Sequence, residues 1–220
     1  MRWTKASTWK IARSWETSEI APFLNEIKKM SMLHQETLGL LHYFSSQVDG
    51  AVLEIGSYIG GATTVLARGL IAGKIGGTVV TVERGGSLTH PTLSTADKIG
   101  DTRKTLQKYG VLDRVTIVEG TSGDESTTRR ITEALNDRRI ALLVVDADGQ
   151  LDRDWRLYRG MMSDDAIICC DDYAAVSDQP PQKQAEVERW VDAAIIDGLV
   201  TDLGLYPWAT WFGQVRKAGG

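Results

Sequence analysis

The side chains with the clearest capacity for chemistry are three aspartates that follow apolar runs: Asp146 in VVDADG, and Asp171 with Asp172 in CCDDY. If these runs are neighbouring parallel strands, the carboxylates meet on one rim, where uncompensated like charges repel. Oxygen donors with no histidine among them suit Mg2+, which takes few protein ligands and leaves positions for water and substrate. The competing assignment is local, either capping or ion pairing with Arg153 and Arg156. Three carboxylates at two strand ends favour the metal.

A second group of residues is built to hold a ligand. VLEIGSYIGGATTVLARGL (52–70) reads as a strand, a glycine turn and a helix, with Gly56 and Gly60 letting the backbone bend and come close to a bound molecule. The spacing G-x-x-x-G-G is not the G-x-G-x-x-G of dinucleotide binding, which argues against NAD. Glu54 inside the strand is costly to bury without a partner, and a ligand bearing a sulfonium and an amino group would supply one. Glu83 closes the next strand, TVVTVE, at the position where such folds set a carboxylate against ribose hydroxyls; a solvent-facing strand end is the alternative. VEGTSGD (118–124) ends a third strand, and Ser122 with the backbone around Gly123 is suited to an adenine edge, to a helix N-cap, or to both.

The elements that must position these residues are legible as alternating strand and helix patterns. AVLEIG (51–56), GTVVTVE (77–83), RVTIVEG (114–120), ALLVVDAD (141–148) and AIICCDD (166–172) are short β-branched runs. Near-continuous apolar strands separated by helices imply a doubly wound α/β fold, with a parallel sheet covered on both faces. Helical spacing joins Ile99, Thr102, Leu106 and Tyr109, then Leu151, Trp155, Tyr158 and Met162, then Val187, Trp190, Val191 and Ile195. LVTDLGL (199–205) and WATWFGQV (208–215), separated by Tyr206 and Pro207, predict an antiparallel hairpin at the sheet edge and bring the strand count to seven. Residues 1–50 are expected to form a helical arm and cover, with helical patterns through Ile20, Leu24, Ile27 and Met30 and through Leu38, Leu41, Phe44 and Val48. Residues 51–220 then form the sheet-bearing domain, the whole being one structural unit.

These motifs, in this order, resemble the class I methyltransferases that use S-adenosylmethionine (SAM), and among them the catechol O-methyltransferase-like and small natural-product O-methyltransferases. The resemblance spans roughly residues 30 to 215 and implies a Rossmann-like sheet. It implies that Glu54, Gly56, Ser57, Tyr58 and Gly60 hold the methionine part of SAM and that Glu83 holds the ribose. It further implies that Gly120, Thr121, Ser122, Gly123 and Asp124 border the adenine, and that Asp146, Asp171 and Asp172 bind Mg2+, with Asp146 also at the cofactor and in catalysis. One departure stands out: catechol-type enzymes carry a lysine three residues beyond the first metal aspartate, and here that residue is Gly149. His34, ahead of a helix that often borders the acceptor pocket in this family, is the candidate replacement base; a solvent-facing residue at a helix start is the alternative.

The reading is therefore methyl transfer from SAM to a hydroxyl of a small molecule, with the acceptor pocket bounded by the N-terminal region and residues 174–184. A noncatalytic SAM-binding or scaffold protein is the competing class, and another chemistry on the same fold the third. Bulk properties agree. A net charge of −4 disfavours nucleic acid as a partner. No apolar run reaches the roughly 18 residues of a membrane span and the first residues lack a secretory apolar core, so a cytoplasmic location is expected. Cys169 and Cys170 are adjacent in a strand, which fits reduced core residues rather than a disulfide or metal motif. Trp3, Trp9 and Trp15 have no evident core of their own and are expected to pack on a second subunit, making a homo-oligomer, or on the domain itself.

Overall fold

Seven strands run along the chain: β1 (Ala51–Ile55), β2 (Val79–Glu83), β3 (Val115–Glu119), β4 (Ile140–Val145), β5 (Met162–Cys170), β6 (Val200–Tyr206) and β7 (Thr210–Val215). The computed structural model describes residues 2–173 and 181–217 and joins the strands in one sheet, ordered β3-β2-β1-β4-β5-β7-β6. β1 to β5 pair in parallel, and β7 runs antiparallel to both β5 and β6. This is the doubly wound fold expected from the alternating runs. Its strand order reverses between β1 and β4, and sheets of this kind bind ligands beyond the carboxyl ends at that reversal.

The strand sequences follow from burial. β1, β2 and β4 are buried along their whole length and so are apolar on both faces, whereas the edge strand β3 is only partly covered and carries Thr116 and Glu119 outward. α3 (Gln35–Gln47), α4 (Gly61–Ala72) and α5 (Lys98–Lys108) cover one face, packing on Val52, Leu142 and Ile167. α6 (Glu125–Leu135), α7 (Leu151–Tyr158) and α8 (Gln182–Ile196) cover the other, on Leu53, Val80, Leu143 and Ile168. Successive strand residues face opposite sides, so Cys169 enters the first core and Cys170 the second. Both thiols are free and buried.

The N-terminal segment is helical, in keeping with the arm expected there. It forms a helix, α1 (Lys5–Ser14), started by a capping box between Thr4 and Ser7, and α2 (Ala21–Ile27) follows. Trp3 meets Tyr43 and Phe44 edge-on, each at 5.4 Å, Trp9 lies 5.0 Å from Tyr206, and Trp15 packs against the backbone at Gly39. The tryptophans, each half-buried, thus pack on the first core of their own domain, which is one of the two placements read from the sequence. The hairpin turn differs from its sequence reading: Tyr206 belongs to β6, and a 3-10 turn over Pro207–Ala209 makes the link, with Trp208 and Ala209 in left-handed conformations that leave the Trp208 ring exposed. Among the described residues no helix is long and apolar enough to cross a membrane.

Candidate functional site

A cavity of about 370 Å³ opens at the carboxyl ends of β1, β2 and β4, lined by Gly56, Tyr58, Glu83, Ser122, Asp146 and Lys183 among others. The glycine turn makes it possible. The Asp146 amide donates to the Ile55 carbonyl at 2.9 Å, drawing the two strand ends together. Gly56 has φ +96°, and a Cβ there would lie 1.9 Å from the Asp146 carbonyl oxygen, so neither the backbone angle nor the space admits a side chain. Gly60, also left-handed at φ +84°, then starts α4, whose N-terminus faces the turn with its free amides. Ser57 Oγ and Tyr58 Oη, beside this turn, are buried hydroxyls without a hydrogen-bond partner among the described residues. Such groups cost free energy unless something binds them, which fits a polar ligand in the cradle.

Glu54 takes a different place from the one the sequence suggested. It is fully buried beneath the turn and does not line the cavity; Oε2 accepts from Thr63 Oγ1 at 2.5 Å and Thr81 Oγ1 at 2.6 Å. Burial pushes its carboxyl up to about 7, against the two threonine hydrogen bonds. The side chain therefore ties β1 to α4 and β2 and supports the turn from below. Glu83 does line the cavity. Its Oε1 accepts from Lys98 Nζ at 2.6 Å and its Oε2 from the Tyr58 amide at 3.0 Å, both residues of the ion pair being buried. Each oxygen keeps a further lone pair, so the carboxylate remains able to accept from a diol. Lys98 had no signal in the sequence beyond the demand of a buried Glu83 for a cation.

Gly120, Thr121 and Ser122 reach the cavity wall, with Gly123 and Asp124 leading into α6. The Ser122 hydroxyl is engaged within the protein: it donates to Asp154 Oδ1 at 2.8 Å and accepts from Arg153 at 2.7 Å, while Tyr158 Oη donates to the Ser122 carbonyl at 2.7 Å. The loop is thereby pinned to α7. Asp124 stands at the N-cap of α6 without a side-chain cap bond.

Asp146, Asp171 and Asp172 converge as their parallel strands required, offering carboxylate oxygens within 4.8 Å of one another. The donor set and spacing fit a hard divalent cation. Arg153 and Arg156, the alternative partners, are engaged elsewhere, with Asp148 and Asp154 and with Asp152 respectively. Thr210 Oγ1 donates to Asp171 Oδ1 at 2.6 Å, a contact supplied by β7. The cation that does reach the cluster is Lys183 of α8, 2.5 Å from Asp172 Oδ2 and 3.5 Å from Asp146 Oδ1. Burial, reinforced by the Asp146 charge, raises the Asp171 carboxyl to about 7; burial likewise raises Asp146, which Lys183 opposes.

His34 is not brought into the cavity. It is the N-cap of α3, its Nδ1 accepting from the Glu36 amide at 3.2 Å, and its ring packs 5.3 Å from Trp208. The cap occupies the nitrogen that a base would need free or correctly oriented, so the helix-start assignment holds. Beside it, Lys28 Nζ lies 4.1 Å over the Trp208 ring, and Met32 borders both the main cavity and a second, open cavity of about 450 Å³ lined by Lys28, Lys29, His90 and Trp208. Residues 174–180, expected to border an acceptor, lie outside the described residues.

The parallel sheet reversing at β1 and β4, a glycine cradle at the reversal and a carboxylate on the neighbouring strand define a nucleotide-cofactor-binding α/β protein of the methyltransferase type. Residues 53–173 match the methyltransferase domain family, and the chain belongs to that family. No curated protein matches it. Among solved structures, it is similar to an O-methyltransferase from Bacillus cereus in complex with SAH (TM-score 0.65, 16% identity, covering 98% of both chains). It is also similar to a putative O-methyltransferase from Klebsiella pneumoniae (TM-score 0.63, 18% identity, 98% of both chains). A third is TomG from Streptomyces achromogenes, in complex with SAM (TM-score 0.63, 16% identity, 99% of this chain and 98% of that one).

Proposed function

We propose that this chain is a SAM-dependent O-methyltransferase for a small hydroxylated acceptor, assisted by Mg2+. The observation that carries the reading is the juxtaposition, on one cavity, of the Gly56 cradle, the Glu83 carboxylate and Asp146 of the aspartate cluster. The structural neighbours described as O-methyltransferases, one bound to SAM and one to SAH, support the cofactor and the type of acceptor atom.

In this reading Gly56, Ser57, Tyr58 and Gly60 hold the methionine part of SAM, Glu83 the ribose, and Gly120, Thr121, Ser122 and Gly123 the adenine. SAM, when bound, would supply an electrophilic methyl group on its sulfonium, for in-line transfer to an acceptor oxygen with the neutral thioether of SAH as the leaving group. Asp146, Asp171 and Asp172 would hold a divalent ion, which would supply positive charge to acidify an acceptor hydroxyl and so reduce the demand for a protein base where position 149 is glycine. The chain's own work is placement. Thr210 orients Asp171, the Arg153–Asp154–Ser122 contacts fix the adenine loop, and Met32 lines both the cofactor cavity and the open cavity at Trp208.

The test is incubation with SAM and a panel of small hydroxylated acceptors, read by mass. A gain of one methyl group is expected, and calorimetry should show SAH binding in EDTA as well as in Mg2+. Asp171→Asn should keep SAH affinity near wild type while turnover falls by roughly tenfold or more, since the cofactor touches other residues. A flat SAH titration would overturn the proposal.

A further inference from the structure

The lysine missing after β4 is replaced from another element. Lys183 is the second residue of α8, 34 positions beyond Gly149 in the sequence, and its ammonium reaches Asp146 and Asp172 of the aspartate cluster. Its stem runs directly over Gly149: a Cβ there would meet Lys183 Cγ at 2.7 Å, its carbonyl oxygen at 2.9 Å and its Cα at 3.1 Å. Gly149 also has φ +79°, a conformation that side chains disfavour. Glycine at 149 and lysine at 183 therefore form one arrangement, in which the first leaves room for the second to reach Asp146 and Asp172.

We propose that Lys183 is a built-in cation of this cluster that competes with the divalent ion, so that metal loading is an exchange against the ammonium. The inference rests on the methyltransferase reading only in taking these aspartates as the metal ligands. The contacts make the two cations rivals. Lys183 Nζ sits 2.5 Å from Asp172 Oδ2, and an ion on that same oxygen, at the about 2.1 Å usual for Mg2+, stands within about 4.6 Å of the ammonium. Two cations at that separation in a partly buried site repel strongly. Three carboxylates face one ammonium, so the cluster keeps oxygen donors beyond those that Lys183 engages, and these remain available to a divalent ion. The consequence is a metal affinity set by Lys183: loading moves the ammonium off the carboxylates and returns it towards the cavity that both Lys183 and Asp146 line.

The test is titration of the full chain with Mn2+ alone, followed by calorimetry, for the wild type, Lys183→Met and Lys183→Arg. Lys183→Met should bind Mn2+ at least tenfold more tightly, and Lys183→Arg, which keeps the charge, should stay within a few-fold of wild type. Equal or weaker binding by Lys183→Met overturns the competition. A measurement on the unaltered chain guards against a variant that folds poorly: acylation of Lys183 by an amine-reactive reagent, quantified by peptide mass spectrometry, should rise several-fold when Mn2+ is added, and unchanged or reduced labelling overturns the exchange. If no form binds Mn2+ while SAH still binds, the competition fails and the cofactor reading stands. If Lys183→Met gains Mn2+ affinity while SAH titrations are flat, the competition stands and the methyltransferase reading fails.

Discussion

Glu54 couples the stability of the cofactor cradle to pH, and the size of the coupling follows from its surroundings. Its side chain is fully buried in β1, with two threonine donors on Oε2 and, among the described residues, no partner on Oε1. Burial outweighs those hydrogen bonds, and with the nearby charges of Asp146 and Glu83 it raises the carboxyl from 4.5 to about 7. The folded state thus holds this proton more tightly than the unfolded chain. Its stabilising contribution is fully present below pH 4.5 and is lost as pH rises through about 7. The gap between those values corresponds to on the order of 3 kcal/mol. Glu54→Gln removes the titration while keeping the shape and an acceptor for Thr63 and Thr81. Urea unfolding of both proteins at pH 5 and pH 8 should show the stability difference moving in favour of the variant by about 2–3 kcal/mol between the two conditions. Taking the difference cancels other groups, including Asp171, that titrate in both proteins. Parallel stability profiles for wild type and variant would refute the assignment of a buried, proton-binding Glu54.

Three further outcomes follow from single contacts. Tyr58→Phe removes a buried hydroxyl that has no partner, so melting without ligand should hold or rise, by up to about 1 kcal/mol, while SAH affinity falls roughly tenfold; unchanged SAH affinity would take Tyr58 out of the cofactor site. Glu83→Ala should weaken SAH binding by about 1–3 kcal/mol in calorimetry. It should also lower the melting temperature, because Lys98 is left buried beside the site without its carboxylate; full affinity in a folded variant would remove Glu83 from the ribose position. Arg153→Met leaves the fully buried Asp154 with its Ser122 hydrogen bond but no countercharge, and because Arg153 is itself partly exposed the expected loss in urea unfolding is about 2–3 kcal/mol; a loss below about 0.5 kcal/mol, the range of an ordinary surface change, would show that the pair contributes little.

The strands, their parallel pairing, the edge hairpin and the convergence of Asp146, Asp171 and Asp172 could be read from the chain alone, because each depends on local pattern. An apolar run without alternation must be buried on both faces, glycines that must turn sharply mark the cradle, and parallel strands put their following residues on one rim. The tryptophan-bearing segment was less legible: α1 carries apolar residues at helical spacing only in part, and it is held by Tyr206 and Asp202, far along the chain, while Trp3 ahead of it packs on Phe44. The partners of the charged groups lay beyond local pattern altogether. That Glu54 turns to Thr63 and Thr81, that Lys98 reaches Glu83, that Ser122 is bound to Asp154 and Arg153, and that Lys183 rather than His34 meets the aspartates depends on the register of the strands and the placement of the helices over them. Sequence determined where carboxylates gather, since backbone periodicity is a local property. Tertiary structure decided which cations and hydroxyls answer them, since a buried charge takes its partner from whichever element folding brings within hydrogen-bond reach.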